Sequence, residues 1–160
     1  MTNEQRMLNL IDECNAPEKL QNWIDNARRG GQSTIANAAF RRLIAILAQK
    51  EPGTVEYDFW QTIHAFEHIL KEERGKTTRL SRTRQKVARV GEIETLRDWA
   101  VSTKSTDGFT MLIERSMPEL TGEAIVLRHA DKFDTAVVEA ARVRLEEAGV
   151  NVAALPAAAR

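Results

Sequence analysis

Apolar residues recur along this chain with the three- and four-residue spacing of helices that bury one face. After Pro17 the spacing i, i+3, i+4, i+7 is filled by Leu20, Trp23, Ile24 and Ala27. Similar patterns predict a helix before this one, from Thr2 to about Asn15, and one after it, which Ser33 caps. Gly30-Gly31 separates the second helix from the third.

The most aromatic of these patterns starts at Thr54, after the Pro52-Gly53 break, and runs to about Glu73. It contains four large aromatic side chains, Tyr57, Phe59, Trp60 and Phe66. Because such side chains contribute much of the burial energy of a core, we predict that this helix lies at the centre of the protein.

The fold class predicted is all-α, a multi-helix bundle of about eight helices with a smaller C-terminal helical lobe. We predict an N-terminal bundle over residues 1–102, which includes a basic helix at 77–90, and a C-terminal lobe over 107–149. The polar connector 102–108 marks the boundary, and residues 150–160 are predicted to form a flexible tail. The apolar run 124–127 fits a helix or a buried strand, and its length does not decide between them.

The charge pattern sets residues 74–89 apart from the rest of the chain. The whole chain has 23 basic and 23 acidic side chains, yet this stretch holds seven of the basic ones and none of the acidic ones. The remainder has 16 basic against 23 acidic side chains, a net charge of −7. An acidic body with one basic segment indicates a binding site for a polyanion.

We predict that the basic segment is a helix that Thr77 or Thr78 caps and that Gly91 ends. At about 100° per residue, four cations share an arc of about 80°, and apolar positions occupy the arc beside it. The cations are Arg79, Arg82, Lys86 and Arg89, and the packing positions are Leu80, Thr83, Val87 and Val90. The residues predicted to contact nucleic acid are Lys76, Thr78, Arg79, Arg82, Arg84, Lys86 and Arg89.

The first functional hypothesis is a bacterial-type nucleic-acid-binding protein, in the role of a regulator. DNA is favoured over RNA because a rigid basic helix suits the major groove, and the chain has no sheet on which bases would stack. The alternative is an α-helical adaptor whose basic helix docks on an acidic protein partner or on the acidic face of a second copy in a homodimer. In a third interpretation the cations only pair with the acidic groups of their own chain.

One short pattern resembles a metal site. His64-Ala-Phe-Glu67-His68 has the H-x-x-E-H spacing of the inverzincin metallopeptidases, which places two imidazoles on one side of a helix beside a glutamate. A third ligand is needed, and Glu139 is a downstream candidate. Since Trp60, Ile63 and Phe66 already give this helix a core face, we favour two partly buried histidines and predict no metal.

A small metal-dependent nuclease is a lower alternative, because clustered carboxylates bind Mg²⁺. Its candidate ligands are Asp107, Glu114, Glu119, Glu123 and Asp131. Helix caps and solvated helix faces explain these acids equally well. The chain has no complete phosphate-binding loop and no nucleophile motif, so we predict no catalytic residue and no cofactor, and the balance is against an enzyme.

The composition indicates a cytoplasmic protein without a membrane segment. Cys14 is the single cysteine, so a disulfide framework is excluded. The N-terminal residues are polar rather than signal-like, and no apolar run approaches the length of a membrane span.

Overall fold

The computed structural model describes residues 1–156, which form eight α-helices and three short 3-10 turns and contain no β-strand. The helices are α1 (Asn3–Glu13), α2 (Pro17–Arg29), α3 (Ser33–Leu47), α4 (Val55–Arg74), α5 (Ser81–Val101), α6 (Asp107–Glu114), α7 (Gly122–Arg128) and α8 (Thr135–Glu147). The 3-10 turns are Pro118–Leu120, Ala130–Lys132 and Val152–Ala154. The predicted all-α fold with eight helices is confirmed, and the undecided run 124–127 is helical.

The chain divides into two compact units, residues 1–49 and residues 50–160. The first contains α1 to α3. Thr2 caps α1 by accepting the amide of Gln5, and Pro17 is the first residue of α2, as the sequence predicted. Arg42 on α3 ties down the link between α1 and α2, because its Nε donates to the Cys14 carbonyl at 2.9 Å. Ser33 is the first residue of α3 rather than its cap.

The second unit is built on α4, whose Phe59 and Ile63 are fully buried. The Thr62 hydroxyl, also fully buried, donates to the Leu120 carbonyl at 2.5 Å and holds the 3-10 turn before α7 against α4. Trp99 from α5 stacks on Phe59 with 5.5 Å between ring centroids. The aromatic helix α4 is therefore a core element of the second unit, as predicted.

The division of the chain falls between Gln49 and Lys50, whereas the sequence predicted a boundary at residues 102–108. The reason is that α7 packs on α8, on α5 and on α4. The helices assigned to a C-terminal lobe therefore belong to the same unit as the basic segment.

The segment predicted as a flexible tail has packing contacts over its described part. Val150, Val152 and Leu155 pack against a buried cluster of Phe109, Ala124 and Leu145. These three apolar side chains give the segment a burial energy that its alanine-rich composition concealed. Residues 157–160 lie outside the described part of the chain. Within residues 1–156 no helix has both the length and the apolar composition needed to cross a membrane.

Candidate nucleic-acid interface

The basic segment starts as a loop rather than as a helix. Helix α4 ends at Gly75, which adopts the left-handed conformation (φ 72°, ψ 8°) that glycine favours. Residues 76–80 then form a connection, and α5 begins at Ser81. The N-cap of α5 is Leu80, two or three positions after the predicted cap at Thr77 or Thr78. Lys76, Thr78 and Arg79 therefore lie on the loop.

A carboxylate from the neighbouring helix determines where α5 begins. The Leu80 amide donates to Glu67 Oε2 at 2.8 Å, although the two residues are 13 positions apart. A carboxylate at this end of a helix is favourable because it satisfies an unpaired amide and lies at the positive end of the helix dipole. Glu67 thus caps the N-terminus of α5, a role that was predicted for Thr77 or Thr78.

Glu67 also binds Arg84 through both of its oxygens. The Arg84 Nη2 lies 2.6 Å from Oε1 and its Nε lies 2.9 Å from Oε2, the paired geometry in which arginine binds carboxylates most strongly. The guanidinium carbon is 5.2 Å from the centroid of the Trp60 ring. Arg84 therefore joins α5 to α4, and its charge is used inside the protein.

The environment shifts the pKa of both partners. Burial acts to raise the pKa of Glu67, but the hydrogen bonds from Arg84 and from the Leu80 amide outweigh it and hold that pKa below its usual value of 4.5. The hydrogen bond to Glu67 raises the pKa of Arg84. Both groups are consequently charged at neutral pH.

Helix α5 bends at Gly91, where φ is 87° and ψ is 171°. The Thr95 hydroxyl donates to the Gly91 carbonyl at 2.9 Å and closes the bend. Lys86, before the bend, lies 2.6 Å from Asp98 after it. This glycine was predicted to end the basic helix, and it does separate the basic half, residues 81–90, from the half that carries Trp99.

The packing face of the basic half is narrower than predicted. Val87 is buried, whereas Val90 is 41% exposed. Leu80 and Thr83 are half-buried. Arg84, and not Val90, completes the contact with α4, because the bidentate pair with Glu67 brings its side chain to that side.

Four of the predicted cations remain on the surface, and we call them the outer cations: Lys76, Arg79, Arg82 and Arg89. All four are exposed, and within residues 1–156 their side chains make no ion pair or hydrogen bond. Of the other predicted site residues, Arg84 and Lys86 are paired within the protein. Thr78 is half-buried, and its hydroxyl donates to the Lys76 carbonyl at 3.4 Å.

The geometry of the outer cations suits an extended row of negative charges. Arg82 and Arg89 are seven residues apart, so they lie on nearly the same side of the helix and about 10 Å apart along its axis. Successive phosphates of a DNA strand are separated by about 3.4 Å along the duplex axis. The spacing of the two arginines therefore equals about three phosphate positions along one strand.

The histidine-glutamate pattern does not assemble a metal site. Glu67 is occupied by Arg84 and Leu80, while His68 Nδ1 lies 3.1 Å from Glu72. Across the described residues no three His, Cys, Asp or Glu side chains are grouped as metal ligands would be.

Two of the buried acids hold helices together. Asp58 of α4 lies 2.7 Å from His129 and 3.1 Å from Arg128, at the end of α7. Glu123 of α7, one of the acids considered for a nuclease, is 2% exposed and 3.3 Å from Arg144 of α8. Burial raises the pKa of Glu123, although Arg144 acts in the opposite direction. These contacts explain both acids as parts of the core.

A cleft of about 400 Å³ opens beside the loop that carries Lys76 and Arg79. Its walls come from α4, from this loop, from both halves of α5 and from the start of α6. The sequence does not predict this cleft, because its lining residues are distributed over 46 positions of the chain, from Phe66 to Met111, and no local pattern connects them. Three of its lining residues, Arg74, Thr78 and Leu80, belong to the basic segment that the charge pattern identified.

No protein-family model, no curated protein and no solved structure matches this chain. Any functional conclusion therefore depends on the chemistry of the surface itself.

Proposed function

We propose that the chain binds DNA by contacting phosphates with the outer cations. The observation that carries this proposal is that these four cations are exposed and have no internal partner in residues 1–156, while the rest of the sequence has a net negative charge. Exposed cations concentrated on one loop and one side of a half-helix create a local positive potential that attracts a polyanion.

The strength of such binding depends on salt in a predictable way. For about four phosphate contacts, the logarithm of the association constant falls with a slope of about −3.6 against the logarithm of salt concentration. Affinity for duplex DNA then falls about 150-fold between about 50 and 200 mM salt. The internal pairing of Arg84 and Lys86 supports four contacts rather than the six cations in the predicted set.

The test is fluorescence anisotropy of labelled duplex DNA with the wild type and two triple variants. One variant removes Arg79, Arg82 and Arg89 by substitution with alanine. The matched control removes three exposed lysines outside the basic segment, Lys50, Lys104 and Lys132, and therefore changes the net charge equally. We expect the arginine variant to bind weakly, with about fourfold salt dependence over the same range, and the lysine variant to resemble the wild type.

Two results would reject the proposal. Equal losses in the two variants would mean that only net charge matters, and absence of binding at low salt would remove DNA as the ligand. In the second case sedimentation over a range of concentrations would examine the adaptor alternative, in which the outer cations dock on an acidic protein or on a second copy. An RNA duplex as competitor tests the preference for DNA, which is based on the helical form of residues 81–90.

We further propose a regulatory role and a cytoplasmic location. The location is supported by the single cysteine, Cys14, since proteins of oxidising compartments commonly carry disulfides. Fractionation of cells that produce the protein, followed by detection with an antibody, would test the location directly.

A further inference from the structure

The cleft beside the basic loop is lined by both apolar and polar residues. Its volume of about 400 Å³ falls within the range of about 300–1,000 Å³ in which proteins bind small molecules. The apolar lining consists of Phe66, Leu70, Leu80, Trp99 and Met111. Trp99 and Met111 are half-buried, so part of this lining is accessible to a flat, apolar ligand.

Charged residues of both signs border the cleft. Arg74 borders it from the end of α4, Thr78 from the loop that carries Lys76 and Arg79, and Asp107 from the first turn of α6. Asp107 is exposed, and its carboxylate makes no ion pair within residues 1–156. Glu73 is also at the rim, but it lies 3.4 Å from Arg115. Asp107 is therefore the carboxylate available to a ligand.

This arrangement requires a ligand with two different ends. One end must be anionic, to lie against Arg74 and the outer cations, and the other must be flat and donate a hydrogen bond to Asp107. A nucleotide has both, because its phosphate is anionic and the amino groups of adenine, cytosine and guanine donate hydrogen bonds. An acidic peptide would bring carboxylates close to Asp107, and an alkyl chain has no donor for that carboxylate.

We propose that the cleft receives one unpaired base, bearing an exocyclic amino group, from a strand whose phosphates lie on the outer cations. This inference rests on the proposed function and adds the substrate class, nucleic acid with at least one unstacked base. Thr78 and Leu80 line the cleft and flank Arg79 in the chain, so one of the outer cations belongs to the same short loop as part of the cleft wall. A cationic surface beside aromatic side chains is the combination that binds single strands.

The experiment uses a labelled single strand of thymines in which one central position is 2-aminopurine, which carries an exocyclic amino group and fluoresces. An all-thymine strand and a duplex are the reference ligands. We expect the wild type to bind the 2-aminopurine strand about fivefold more tightly than the all-thymine strand, the effect of one additional hydrogen bond to a charged acceptor. We also expect the 2-aminopurine emission to change on binding.

Three variants separate the cleft from the cations. Asp107→Ala removes the acceptor, and Glu114→Ala is its matched control, an exposed acid on the same helix that does not line the cleft. Leu70→Trp fills the cleft. We expect the preference for 2-aminopurine to disappear in Asp107→Ala and Leu70→Trp, to persist in Glu114→Ala, and duplex affinity to stay within about twofold in all three.

The results distinguish this inference from the proposed function. If the wild type has no preference, or if the preference survives both cleft variants, the cleft does not receive the base, whatever the arginine variant shows. If duplex binding depends on the outer cations in that case, the proposed function stands alone. Should Leu70→Trp fail to fold, as circular dichroism would reveal, Asp107→Ala against Glu114→Ala decides the question, because both side chains are exposed. Absence of binding to strand and duplex alike rejects both proposals.

Discussion

Replacing Glu67 should destabilise the protein by an amount that follows from its three hydrogen bonds. Glu67→Ala removes the acceptor of the Leu80 amide and both contacts with Arg84. Glu67→Gln keeps a side chain of the same size and one amide oxygen, but it removes the charge. Comparing the two variants therefore separates the contribution of the charge from that of the cap.

The magnitude can be worked from the burial of the pair. Loss of a helix cap costs about 1 kcal/mol. The Glu67 and Arg84 side chains are 14% and 23% exposed, so their pairing lies between exposed ion pairs, worth about 0.2–1 kcal/mol, and buried ones, whose disruption costs about 3–5 kcal/mol. We expect Glu67→Ala to lower the free energy of unfolding by about 2–4 kcal/mol and Glu67→Gln by about 1–2 kcal/mol.

The effect depends on pH in a direction that the pKa determines. The pKa of Glu67 is lower in the folded protein than its usual value of 4.5. The folded state therefore favours the ionised form, and the stabilisation is complete above pH 4.5 and disappears as the pH falls through the folded-state pKa. The difference between wild type and Glu67→Gln should shrink accordingly in acid.

The assay is urea denaturation followed by circular dichroism, at neutral pH and at pH values below 4.5. A double-mutant cycle with Arg84→Met measures the pair itself, since methionine retains an unbranched side chain without the charge. We expect a coupling energy of about 1–2 kcal/mol at neutral pH. A coupling below about 0.3 kcal/mol, or a Glu67→Gln effect that is undiminished in acid, would refute this account of how α5 is held.

Two further substitutions give results of known direction. A Cβ on Gly108 would lie within 2.7 Å of three atoms of the Phe66 ring, so Gly108→Ala should lower the free energy of unfolding by about 1–3 kcal/mol. Gly30→Ala is the control, because its Cβ would meet nothing closer than 3.5 Å. This control should change the free energy of unfolding by less than about 0.5 kcal/mol. The raised pKa of Glu123 means that the folded state retains this proton longer than the unfolded chain does. As the pH rises from below 4.5 through the folded-state pKa, the stability of wild type relative to Glu123→Gln should therefore fall, opposite in sign to Glu67. Denaturation with increasing urea at each pH tests both, and a pH-independent difference for Glu123→Gln would contradict the second.

The sequence predicts the helices well because their apolar spacing and many of their capping residues lie within the helix or next to it in the chain. Thr2 and Thr54 were predicted to start helices, and each accepts an amide hydrogen bond from the first turn of its helix. The run 124–127 could not be assigned by its period, and it lies in α7, which Thr121 caps by accepting the Ala124 amide. The local signals at Ser33 and at Thr77 or Thr78 misplaced a cap by one to three positions.

The candidate site was predicted less completely because some of its cations form ion pairs with residues that are distant in the sequence. The pairing of Arg84 with Glu67 and of Lys86 with Asp98 depends on how α4 and the second half of α5 approach the basic half. Periodicity places these cations on a helix but gives no information about what faces them. The cleft could not be predicted from the sequence for the same reason, since α4, α5 and α6 each contribute part of its lining.

The bend at Gly91 has a consequence for which substitutions the protein can accept. A residue with a Cβ would hold φ at 87° and ψ at 171° only at a cost of about 1–3 kcal/mol. An ordinary helical turn at this position would instead make residues 81–101 one straight rod about 32 Å long. If that rod kept the direction of the half that carries Trp99, the half that carries Arg82, Arg84 and Arg89 would point in a new direction, and the pair of Arg84 with Glu67 opposes this change. One hydrogen atom in place of a side chain thus decides the direction in which the protein presents its positive charge.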